Sequence, residues 1–294
     1  MNSTVCVIEA NPDVTGVGIR ASIYALCLGG TVVSYLLRVL SPGEDEAEFS
    51  RGVSSALGMQ GLALLCTAIY QTFRTELTLF HAICVVHLLA LLGMDIISKG
   101  RYAGFGPWRL WFFAVIQIIA LAAFIAFNVY LWVTAPQFGA QPTCNPDTVY
   151  VVFGVSIKAT SPVFRYIILG SLGSIAAGFV LVFTYAEEHE RLHGQALRNY
   201  TLNRLAYFGL CIYLIVSLEQ TIQRNNLDPE ERGWTFGQVI AIFLLLGVAN
   251  ELFNVVLAKW DRKLAGEQEG SQELVQHRPP SSGNSANSVP RLVV

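Results

Sequence analysis

Apolar residues fall along this chain in long runs bounded by charge, proline or glycine. Seven such runs can be traced, at about 16–40, 52–73, 77–97, 108–135, 163–185, 205–222 and 234–257. The hydrocarbon core of a bilayer is about 30 Å thick and takes roughly 20 apolar residues of helix. A backbone in lipid must also satisfy its own hydrogen bonds, which a helix does. The pattern predicts an all-α polytopic membrane protein with seven transmembrane helices, its bundle occupying residues 16–260. The sixth run is the weakest, being short and carrying Glu219 near its end; without it, six spans would put both termini on one side. Residues 1–15 lack the basic start and apolar core of a cleavable leader, and the first run is too long for one, so it is expected to stay as a span.

The segments between the runs set the orientation. With the N-terminus outside, the inner loops and the stretch after the last span hold eleven Lys and Arg: Arg38, Arg51, Lys99, Arg101, Arg109, Arg191, Arg198, Arg204, Lys259, Arg262 and Lys263. Six lie on the outer side: Arg20, Arg74, Lys158, Arg165, Arg224 and Arg232. Excess basic charge marks the cytosolic face, so the N-terminus is expected outside and the C-terminus in the cytosol. The outer loop 136–162 contains an apolar, β-branched stretch too short to cross, which reads as a strand or an interfacial segment over the outer mouth of the bundle. The inner loop 186–204 is charged. The tail 261–294, rich in Ser, Gly, Pro and Gln, is expected to be disordered.

Cysteine usage follows from that topology. Cys27, Cys66, Cys84 and Cys211 lie within spans, where a thiol packs as a small apolar group. Cys6 and Cys144 lie outside the spans, both on the oxidising side, and are expected to pair. The alternative is two thiols whose Cα atoms never come within about 7 Å.

The stretches "FGAQPTCN" and "SIKATSPVFR", with "NPDVTGVGIR" ahead of the first span and "GWTFGQVIAIFLLL" opening the seventh, resemble a set of uncharacterised multi-pass membrane proteins of filamentous fungi and mushrooms. The resemblance covers most of residues 5–257. It implies a seven-span architecture and a fungal origin, and it carries no functional residue across. Other seven-span patterns fail: the last span has no Lys for a retinal Schiff base, "GMDIISKGRY" has no Asp/Glu-Arg-Tyr triplet, and "VANELFNVVLAKW" has no NPxxY.

Composition narrows the chemistry further. Apolar residues make up 53% and charged residues 14% of the 294, and the formal net charge is −2. Nucleic acid is excluded as a partner, because binding phosphates along a strand needs a basic surface. The expected partners are the lipid bilayer of the plasma membrane or an endomembrane, an extracellular or lumenal ligand, and a cytosolic protein; no cofactor is expected. Polar residues within spans are costly unless they face the interior. Arg20, His81, Glu219 and Gln238, with Arg165 at the mouth of span five, form an outer layer, and Asp95, Asn250, Glu251 and Asn254 an inner one. Gln117 and Asn128, eleven residues apart, share one face of span four to within about 20°. These residues either hold the bundle together or line a path, whereas His87 reads as a packed bundle histidine. "HERLH" at 189–193 fits H-E-x-x-H, with Glu251 as the only third ligand in prospect for His189 and His193. Arg191 between the histidines and the charged flanks argue for a solvated helix, so no metal site is expected. "NST" at Asn2 and "NYT" at Asn199 are acceptor sequons, and the topology puts only Asn2 where glycan is added. The leading reading is a non-enzymatic receptor-like or scaffold protein with a disulfide-clamped outer cap. The alternatives are a small-solute or ion transporter or channel, and a membrane zinc peptidase.

Overall fold

The computed structural model describes residues 6–40, 44–93, 107–185 and 196–276. The first rod is built of α1 (Pro12–Thr15), α2 (Val17–Tyr24), a π turn (Ala25–Gly29) and α3 (Gly30–Leu40). It is followed by α4 (Glu44–Phe73), α5 (Leu79–Gly93), α6 (Pro107–Thr134), α7 (Pro162–Tyr185), α8 (Ala196–Arg224) and α9 (Phe236–Gln276). Among the described residues five stretches are long and apolar enough to cross a membrane, Pro12–Val39, Phe49–Phe73, Val115–Gln137, Arg204–Arg224 and Pro229–Leu257, and Leu79–Gly93 is a shorter apolar helix. The fold is that of a helical integral membrane protein.

The weak sixth run is one of these five, at Arg204–Arg224, within a helix that begins at Ala196. Residues 196–204 are therefore helical rather than loop. Residues 261–276, expected to be disordered, continue α9. Leu264, Ala265, Glu267, Gln268, Glu273 and Leu274 all favour helix, and no proline intervenes before Pro279. Residues 186–195 and 277–294 lie outside the described residues. Contacts divide the chain after Glu251; the core and the cap belong to the first unit.

That unit is organised around α5. Twelve of its fifteen residues, from Leu79 to Leu92, are buried, as is expected of a helix that is apolar all round. It packs against α1, α2, α4, α6 and α8. The outer helices present large apolar side chains outward, among them Trp111, Ile118 and Val133 on α6 and Ile240, Phe243 and Leu246 on α9. So much exposed apolar area is the mark of a lipid-facing surface.

The apolar stretch of the outer loop forms an antiparallel hairpin, β1 (Val149–Val152) and β2 (Val155–Lys158), with Val149 opposite Lys158 and Val152 opposite Val155. Its two-residue turn has φ of 48° at Phe153 and 78° at Gly154. Two left-handed residues are what a turn matching the strand twist requires.

Candidate functional site at the outer cap

The N-terminal segment is sewn down by backbone first. The Ile8 amide donates to Asn226 O at 2.9 Å and the Asp228 amide to Ile8 O at 3.0 Å, a parallel bridge to the loop before α9. Cys6 is bonded to Cys144 across 138 residues, with Cα atoms 5.5 Å apart, inside the usual range for a disulfide. Gln141 reinforces this seam by accepting from the Glu9 amide at 3.1 Å. The loop carrying Cys144 is itself pinned by Asn145, whose Nδ2 donates to the carbonyls of Ala135 and Phe138.

Glu231, in the short turn Pro229–Arg232, is the hub of the cap. Its carboxylate accepts from the Asn11 amide at 2.7 Å, from the Thr15 hydroxyl, and from His81 Nε2 at 3.3 Å. Its side chain is 8% exposed and that of His81 is wholly buried. Because Nε2 must donate to the carboxylate, Nδ1 of a neutral His81 accepts from the Thr78 hydroxyl, 2.7 Å away. The Asn11 side chain donates to Gln71 on α4 at 2.9 Å.

Thr15 joins this hub to a second one. Its carbonyl accepts from Arg20 Nε at 2.8 Å, and Arg20 is ion-paired with Glu219, which also accepts from the Tyr24 hydroxyl at 2.8 Å. His81, Glu231, Thr15, Arg20, Glu219 and Tyr24 thus form one connected polar chain. It cannot carry a proton end to end, because a guanidinium does not give one up. What it does is fix spans to cap.

"GVGIR" is shaped by the same packing. A Cβ on Gly16 would stand 2.2 Å from Pro12 O and 2.3 Å from Gln238 Nε2. The buried Gln238 accepts from the Gly18 amide at 2.9 Å and donates to Gly233 O at 2.7 Å.

The hairpin is held by side chains of α8. Ser217 and Thr221 on α8 and Asn225, the residue that follows it, recur every four residues and so lie along one side. Val151 N donates to the Thr221 hydroxyl at 3.1 Å, the Ser217 hydroxyl donates to Val151 O, and the Asn225 amide group bonds both N and O of Val149 at 2.9 and 2.8 Å. The helix face thereby stands in for a neighbouring strand along the edge of β1. Tyr150 turns inward to meet Trp132 and Phe164 and reaches His87 Nδ1 at 3.0 Å. Burial raises the pKa of its hydroxyl, so it stays protonated.

The polar residues expected inside the spans therefore divide. Arg20, His81, Glu219 and Gln238 converge on the cap. Arg165 closes the end of α6, donating from Nε to Trp132 O at 2.5 Å and from its terminal amine to Val133 O. Asn128 is buried and returns its amide to Phe124 O of its own helix at 2.9 Å, and Gln117 is half-buried. Of the expected inner layer, Asn250, Glu251 and Asn254 are exposed on α9, because the buried face of that helix runs through Gln238, Ala241 and Val248. Asp95, Asn2, His189 and His193 lie outside the described residues. Among the described residues no three His, Cys, Asp or Glu side chains are grouped to hold a metal ion.

The sequence reading missed Glu231, Ser217, Thr221 and Asn225. Glu231 lies in a turn between apolar runs, where hydropathy gives no signal, but the i, i+4, i+8 recurrence of the other three is visible in the chain.

Fold and cap define the class, a helical membrane protein with a covalently closed, hydrogen-bonded cap. Comparison with protein-family models, curated proteins and solved structures finds no match.

Proposed function

We propose that this is a seven-span membrane protein of receptor-like or scaffold type, with its N-terminus on the oxidising side and its cap as a pre-organised recognition surface. The observation that carries this reading is the convergence of Arg20, His81, Glu219 and Glu231 on structural bonds within the cap. Polar groups spent on locking an outer surface are not available to line a route, and a rigid surface binds a partner at lower ordering cost. The disulfide between Cys6 and Cys144 favours the outward placement of that face.

Reconstitution tests the reading against transport. Liposomes holding the purified full-length protein should show no ion or solute flux above protein-free liposomes. Photo-crosslinkers at exposed cap positions such as Glu9 and Asp147 should capture a discrete partner on intact cells. Flux that needs the protein would replace this reading with that of a transporter. Stoichiometric zinc lost on His193→Ala would replace it with that of a peptidase.

A further inference from the structure

The hairpin runs back along α8, toward the start of that helix. Val149 at its base is bonded to Asn225, just past the end of α8, and Val151 is bonded to Thr221 and Ser217. Two residues further along the strand, about 7 Å, the turn reaches Tyr213, whose ring lies against that of Phe153 with centroids 4.8 Å apart. The strand therefore passes the polar end of α8, with Glu219, Gln220 and Gln223, and arrives at the level of residues 210–218, which are apolar but for Ser217. Two other helices give the same depth. Tyr150, nearer the base than the turn, already meets Phe164 on α7 and Trp132, which stands five residues inside the end of the membrane-length stretch Val115–Gln137.

The turn is built for a place without water. Phe153 is 81% exposed and Val155 61%, at the level of Ile212 and Val216, which are exposed on α8. A turn standing in water leaves the polar groups of its central residues to solvent. Here the Phe153 amide donates to the Tyr213 hydroxyl at 3.4 Å, and the Gly154 carbonyl accepts from Arg224 Nη1 at 2.9 Å. The same nitrogen donates to Ser156 Oγ at 2.6 Å. Side chains of α8 thus pair the backbone of the turn, which is what backbone in hydrocarbon requires. The base of the hairpin contrasts with its tip, because there the exposed Lys158 and Asp147 form an ion pair at 3.9 Å.

We propose that the tip of the hairpin, Phe153 with Val155, is inserted among the lipid acyl chains of the leaflet on the cap side and anchors the cap in the bilayer. Exposed apolar side chains that continue the lipid-facing surface of a neighbouring helix have the same solvent as that helix. The polar base then stays in the headgroup layer and the water above it, as in other amphipathic segments that lie at a membrane surface. The inference rests on the membrane-crossing helices alone. It holds whichever side the cap faces and whatever the cap recognises.

The test uses full-length protein carrying Cys66→Ser, whose remaining free thiols Cys27, Cys84 and Cys211 are buried, reconstituted in phosphatidylcholine vesicles. A nitroxide is attached after Phe153→Cys or Val155→Cys, with Asp147→Cys as the aqueous reference and Ile118→Cys, on the exposed face of α6, as the lipid reference. Power saturation reads how often the label meets oxygen, which concentrates in lipid, and a nickel chelate, which stays in water. At position 153 the oxygen-to-nickel ratio should be several-fold above that at 147 and close to that at 118. Position 155 should agree, and it decides the matter if Phe153→Cys does not fold. A ratio closer to that at 147 overturns the proposal and leaves the tip in water. A label reached by neither reagent also overturns it, and assigns the tip to a contact with a second copy of the chain.

Discussion

Glu231 illustrates how much one side chain can hold. Replacing it with Ala leaves the Asn11 amide, the Thr15 hydroxyl and His81 facing a hole in a buried site. Each buried donor left without its acceptor costs about 1–3 kcal/mol, so Glu231→Ala should lower Tm sharply in a detergent melt. Glu231→Gln, which keeps the shape and one acceptor oxygen, should lower it less. Gly16 makes a companion case with a built-in reference. Gly16→Ala drives a methyl into Pro12 O and Gln238, whereas Gly58→Ala on α4 meets nothing within 4 Å. The first should destabilise, and the second should be neutral or gain up to about 1 kcal/mol from helix propensity. Equal melts for the two would refute the close packing of the first rod on Gln238.

At the scale of elements, the hairpin and α8 depend on one another. Changing Ser217, Thr221 and Asn225 to Ala together should free the edge of β1. With each lost bond worth about 1 kcal/mol, amide exchange across 149–158 should quicken at least tenfold while the rest of α8 stays protected. Uniform protection would show that the hairpin stands on its own pairing. Helices were legible because apolar runs of this length allow little else in lipid, and the hairpin was legible as a strand or interfacial segment from its β-branched residues. Helix ends were not. The onset of α8 at Ala196 and the continuation of α9 to Gln276 depend on propensity among polar residues, where hydropathy carries no signal. The outer polar layer was half legible: Arg20, His81, Glu219 and Gln238 were found from their cost in lipid, but Glu231, which His81 meets, sits in a turn. Asn250 and Glu251 were expected in the inner layer from the same cost in lipid, and α9 leaves both exposed.

For the whole molecule, the placement of the termini and the disulfide stand together. Asn199 should carry no glycan in protein from cells, as shown by an unchanged mass after glycosidase treatment; glycan there would reverse the orientation. Non-reducing peptide mapping should recover Cys6 and Cys144 in one bridged peptide, and two free thiols would refute the pairing. Cys6→Ser, Cys144→Ser and the double change should behave alike, loosening the cap by about 1–2 kcal/mol. That is well under the chain-entropy value for so long a loop, because helices already held in lipid leave the unbridged state less freedom than a chain in water.

The sewing of residues 6–18 onto residues 226–238 has a consequence for biosynthesis. The segment made first finds its partners only after nearly the whole bundle has been made, since Ile8 waits for Asn226, Asn11 and Thr15 for Glu231, and Gly18 for Gln238. Until then these groups lack their partners, whereas Cys6, whose partner Cys144 comes earlier in the chain, can already be bridged. Closure of the cap therefore reports that the last helix has arrived, and a chain stalled before it would remain marked by a leading end that lacks these bonds.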